Sequence, residues 1–135
     1  MGPVRRLVPF VLLAAVAGCG TPGADLFVAT RTGSIPGAKL QLRVIDDGQA
    51  VCNGKQHEIS SDDLIAAREL VRDLSDAAKD GLDLPAAKPT ILRFRIRTED
   101  GIVAFSDSSK GQPAAFFRAA QLIRTIAKTD CGLAR

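Results

Sequence analysis

Three cysteines, a single histidine and an alternating run of arginines are the residues of this chain whose types and spacing could do chemistry. An odd number of cysteines in an exported chain leaves one loose, reactive thiol, so the count asks which of Cys19, Cys52 and Cys131 stands apart. Cys52 and Cys131 suit a disulfide in an oxidising compartment; the alternative is two reduced, packed thiols. Two sulfurs and one imidazole fall short of the four ligands a structural zinc takes, so no metal site is expected. His57 lies in Gly54–Ser60, GKQHEIS, which reads as a polar connection. No nucleophile elbow, HExxH, paired CxxC or phosphate-cradling glycine loop accompanies it, so no catalytic residue and no cofactor is expected. A weak hydrolase with His57 as base is the remaining enzymatic alternative, and it would require a serine and an acid brought to the imidazole by the fold.

Arg93, Arg95 and Arg97 alternate with Leu92, Phe94 and Ile96, and Lys39 and Arg43 alternate with Leu40 and Leu42. A strand's period of two sends each set to one face, apolar residues inward and charges outward. Guanidinium forks grip carboxylate or phosphate through paired N–H bonds, so Arg93, Arg95, Arg97, Arg43 and Lys39 form a candidate surface for a ligand or partner. The alternative is solvated charge that loop acids neutralise and that guards the sheet against edge pairing. Ser108, Ser109 and Lys110 run into the amino end of an apolar-striped segment, where helix ends attract anions, although serines and glycine equally suit a plain turn.

The positions of these groups depend on what precedes them. MGPVRR supplies two arginines, and Leu7–Ala17 supplies eleven mostly apolar residues. That is the order of a secretory signal peptide, and the run is too short for a bilayer span of about 20 residues. Ala15-Val16-Ala17 permits ordinary cleavage before Gly18. Val16-Ala17-Gly18-Cys19 resembles the bacterial lipobox, which implies diacylglycerol on the Cys19 sulfur and cleavage just before it. Lipidation also consumes the odd cysteine and leaves a pair. Residues 1–18 are therefore expected to be a lipoprotein signal peptide, 19–24 a lipid-anchored tether, and 25–135 one domain. The expected location is the extracytoplasmic face of the cell membrane.

Without the leader's Arg5 and Arg6 the chain keeps 16 basic and 15 acidic residues, a net charge of about +1. That is not the balance of a nucleic-acid-binding domain. Just over a hundred residues make one ordinary domain with a real core.

The elements that position these groups follow from periodicity. DLFVATR, KLQLRVI and QAVC read as three strands joined by GSIPG and Asp46-Asp47-Gly48. Ser60, with acids following it, opens a helix whose apolar stripe runs through Leu64, Ala67, Leu70, Val71, Leu74, Ala77 and Ala78, with Gly81 at its end. LDLPAAKP is a proline-broken linker. Leu92–Arg97 and IVAFS form a hairpin about Glu99-Asp100-Gly101. A last helix follows Pro113, with its stripe through Phe116, Ala119, Ala120, Ile123, Ile126 and Ala127. Alternating rather than continuous apolar strands imply an α+β fold: an antiparallel sheet of about five strands, in order βββ-α-ββ-α, packed on one face by two helices.

The segments DLFVATRTGSIPGAKL, CNG, ILRFRIRTEDG, FSDSSKGQP and FFRAAQ resemble small actinobacterial lipoproteins, a likeness that implies an anchor and carries no activity. The element order, the hairpin from Phe94 to Gly101 and the terminal helix are similar to emfourin-type inhibitors of thermolysin-like metalloproteases. That family lacks the anchor and the cysteines, so no inhibitory residue transfers. The expectation is a non-enzymatic binding module anchored in the membrane through its lipid, with an envelope protein as partner. A protease inhibitor at the cell surface is the alternative.

Overall fold

The computed structural model describes residues 23–135, with Gly2 ahead of them. The expectations for the leader and Cys19 lie outside the described residues. Four strands come first: β1 (Asp25–Gly33), β2 (Leu40–Ile45), β3 (Gln49–Cys52) and β4 (Lys55–Glu58). Helix α1 (Ser61–Lys79), strands β5 (Leu92–Thr98) and β6 (Gly101–Ser106), and helix α2 (Ala114–Thr125) follow, and α2 runs on into one π-helical turn over Ile126–Asp130. The strands form one sheet in the order β4-β3-β2-β1-β5-β6, with every neighbour antiparallel. The fold is α+β as expected, with six strands rather than five.

The extra strand is β4, Lys55-Gln56-His57-Glu58, which carries no apolar alternation to announce it. Its cause lies one step upstream. Asn53 and Gly54 both adopt positive φ, 48° and 84°, the conformation of a two-residue hairpin turn whose twist matches the flanking strands. The backbone N–H of Gln41 donates to Oδ1 of Asn53 at 2.9 Å and fixes that turn against β2. His57 is therefore a strand residue opposite Ala50, correcting its reading as part of a connection.

Strand parity divides the sheet. Phe27 and Ala29, Leu40, Leu42 and Val44, Phe94 and Ile96, and Val103 and Phe105 point toward the helices and are buried. Phe105 stacks between Phe94 and Phe116, with ring centroids 5.1 and 4.6 Å apart, so an aromatic column links β5, β6 and α2. Helix α1 presents Ala67, Leu70, Leu74 and Ala78 to this core. Its start is capped by Ser60, whose Oγ accepts the Asp63 N–H at 3.1 Å. Past its end, Gly81 takes a φ of 61° and the N–H of Leu82 returns to the Ala77 carbonyl. The β5–β6 turn abuts this end so closely that a Cβ on Gly101 would lie 2.2 Å from the Ala78 carbonyl oxygen.

The proline-broken linker has a structural task. Leu84 N–H donates to the Ala104 carbonyl, and Ala104 N–H donates to that of Leu82, so the linker pairs with the free edge of β6. A disulfide joins Cys52, at the end of β3, to Cys131, which follows the π-helical turn. It staples the β4 side of the sheet to the last helical segment across 79 residues of chain.

Candidate functional site

The sheet face away from the helices carries the basic residues. Across the central strand β1, Val28 is flanked by Arg43 on β2 and Arg97 on β5, Thr30 by Gln41 and Arg95, and Thr32 by Arg93. Lys39 lies just ahead of β2 and is exposed. These side chains share one side because strand positions two apart do, and β1 between them contributes only small or half-buried residues.

Loop acids neutralise part of this face. Arg43 pairs with Asp25 at 3.5 Å, and Arg93 with Asp83 of the linker at 2.9 Å. Neither Arg95 nor Arg97 pairs with an acid among the described residues. Both are exposed, on the strand between β1 and the edge strand β6, on the face away from the helices. The arrangement is a shallow, positively charged plane with two free guanidinium forks, suited to acidic side chains of another molecule.

His57 lies on the β4 edge and makes no side-chain hydrogen bond among the described residues. The described residues hold no group of three or more His, Cys, Asp or Glu side chains placed to share a metal ion. The serine loop is occupied by its own fold. Ser109 Oγ donates to the Pro85 carbonyl at 3.0 Å, Ser108 Oγ reaches the Ala87 carbonyl, and Ser106 Oγ lies 3.0 Å from that of Ser108. Gln112 Nε2 closes the loop on the carbonyls of Ser106 and Ser109. These hydroxyls hold the linker against β6. Helix α2 begins at Ala114 with Pro113 as its cap residue and no side-chain cap.

Two further features lie on the helix side. Arg31 continues the inward parity of Phe27 and Ala29 and is only 3% exposed. Its Nε donates to the Ala38 carbonyl at 2.8 Å, and its Nη2 donates to the backbone oxygens of Gly37 and Arg135 at 3.1 and 3.0 Å. No Asp or Glu pairs with it among the described residues. Burial, followed by the charges of Arg135 and Arg124, pushes its guanidinium below the ordinary arginine value. Arg31 lines a cleft of about 520 Å³ between the sheet and α2, together with Leu92, Phe94, Phe105 and Phe117. The second feature is Asp130, where burial, then a hydrogen bond and the charge of Asp63, raise the carboxyl above its ordinary value. Its Oδ2 is buried without a partner.

No helix among the described residues is long and apolar enough to cross a membrane. No protein-family model matches the chain, and neither a curated protein nor a solved structure matches it.

Proposed function

We propose that the chain is a non-enzymatic binding module, tethered by a lipid on Cys19 to the extracytoplasmic face of the cell membrane, whose basic sheet face receives an acidic surface of an envelope protein. The observation that carries this reading is the pair Arg95 and Arg97, exposed on the sheet face away from the helices, without acid partners among the described residues. Buried arginine–carboxylate forks at the heart of an interface contribute far more than the same charges at its rim. Arg43, Arg93 and Lys39 extend the surface, the first two already tied to acids of this chain.

The anchor is supported by the Val16–Cys19 pattern and by the disulfide that leaves Cys19 as the odd sulfur. Two acyl chains hold a protein stably where one holds it marginally, at about 0.8 kcal/mol per buried methylene. Intact mass of the membrane-extracted protein is expected to show the diacylglycerol addition, absent in Cys19→Ser.

The binding reading is tested by crosslinking in native envelopes with the lipidated chain as bait. A discrete partner is expected to be retained by the native chain and lost with Arg95→Ala/Arg97→Ala at unchanged melting temperature. Equal capture by both chains would overturn the assignment of the surface. Hydrolytic activity abolished by replacing His57 would overturn the non-enzymatic reading.

A further inference from the structure

The cleft beside Arg31 lies on the opposite side of the sheet from the basic plane and calls for a different occupant. A cleft of about 520 Å³ is within the range of small-molecule sites, which are mostly apolar with a few placed polar groups. Its walls match that description: Leu92, Phe94 and Phe105 from the sheet, Ile35 from the β1–β2 loop, and Phe117 from α2. Phe117 is 60% exposed, an aromatic ring on the cleft side of its helix with most of its surface open to water.

Among the side chains that line the cleft, basic ones outnumber acidic ones. Arg31, Arg124 and Arg135 line the cleft against a single acid, Asp107, whose two carboxylate oxygens already accept the Ile91 N–H at 3.1 and 3.2 Å. Arg31 is fixed by three backbone oxygens, those of Gly37, Ala38 and Arg135. Its Nη1 has no partner among the described residues. Asp130 Oδ2 is the one fully buried side-chain polar atom without a partner among the described residues, so Nη1 of Arg31, a residue that lines the cleft, keeps some exposure. A guanidinium held rigidly in apolar surroundings, free at one nitrogen and flanked by two more cations, is pre-organised for an anionic group.

We infer that this cleft binds a small amphiphilic anion, with its carboxylate or phosphate head on Arg31 and Arg124 and its apolar body along Phe94, Phe105 and Phe117. The head pairs with these guanidinium groups, and the body covers the exposed ring of Phe117. Neither half suffices alone: a bare anion leaves the apolar walls wet, and a bare hydrocarbon leaves the arginines unpaired.

The test uses the full chain with Cys19→Ser, so that no acyl chain of its own competes, and with the disulfide formed. Decanoate and decyl phosphate are titrated by calorimetry below their micellar concentrations, beside decyltrimethylammonium and inorganic phosphate. One-to-one saturation by either decyl anion is expected, at least tenfold tighter than by the decyl cation or by inorganic phosphate. The tighter of the two anions identifies the head group. Arg124→Gln and Phe117→Ser, both at exposed positions, are each expected to weaken binding at least fivefold at unchanged melting temperature, while Arg95→Ala/Arg97→Ala leaves it intact. Lack of saturable binding by both anions, equal binding of the cation, or affinities unmoved by both cleft variants would overturn the inference.

Discussion

Single residues set against their surroundings carry the most information in this molecule. Arg31 occupies a position whose strand parity belongs to the core, as Phe27 and Ala29 show, and that clash between residue type and parity was present in the sequence. The destination of its N–H groups was not, because Gly37, Ala38 and Arg135 reach it only through the fold. Asp130 gave no local sign at all, since its partner Asp63 lies 67 positions away at the start of α1. A carboxyl whose folded value is raised above its unfolded one adds stability below the ordinary carboxylate range, and that stability disappears as pH rises through the raised value. Asp130 is therefore expected to contribute a downward slope to the melting temperature as pH climbs out of the carboxylate range. Asp130→Asn, which keeps a donor toward Asp63 without the charge, is expected to remove that slope and to melt higher at neutral pH. Thermal melts across the acid-to-neutral range check this, and an unchanged slope in the variant would count against it.

Among the elements, those with a clear apolar period were legible and those made by turn geometry were not. The alternation in β2 and β5 corresponds to what is buried, and the stripes of α1 and α2 do so at their centres, while Leu64, Val71, Ala77 and Ala120 are half-buried and Ala115 and Leu122 are buried outside the expected stripe. Strand β4 shows the converse. Its four polar residues carry no period, and only Asn53-Gly54, a strong hairpin signal in its own right, specifies it. Phe117 shows a similar limit: the stripe through Phe116 and Ala119 correctly leaves it outside, but periodicity cannot say that a cleft lies beneath it. The β5–β6 turn supplies a test at this scale. Gly101 has a φ of 144° and no space for a Cβ against the Ala78 carbonyl, so Gly101→Ala is expected to cost about 2–3 kcal/mol in urea unfolding. A loss below about 0.5 kcal/mol would mean that the turn and helix end separate freely.

For the whole molecule, the helices cover one face of the sheet and leave the other to the charged residues, while the linker closes the β6 edge and the disulfide closes the far side. The pairing of Cys52 with Cys131 was legible because the expected lipid site at Cys19 leaves only one pair of cysteines to join. Closing a loop of 79 residues restricts the unfolded chain by about 4.5 kcal/mol in the chain-entropy account. Cys52→Ala/Cys131→Ala is expected to lower the melting temperature by more than about 10 °C, and a loss of under about 2 °C would show that the bridge is incidental. The basic plane was legible as alternation, but its division was not: Asp25 and Asp83 neutralise Arg43 and Arg93 through contacts that the strand pattern does not encode.

The central claim, that the uncovered basic face is where a partner docks, is tested most directly by a photo-crosslinking residue placed at Gln41, amid Lys39, Arg43 and Arg95, and in a second chain at Glu69 on the exposed side of α1. Irradiation of intact envelopes is expected to join one partner to the Gln41 chain and not to the Glu69 chain, with the adduct lost when Arg95 and Arg97 are replaced by alanine. An adduct from Glu69 alone, or from Gln41 irrespective of the two arginines, would contradict it.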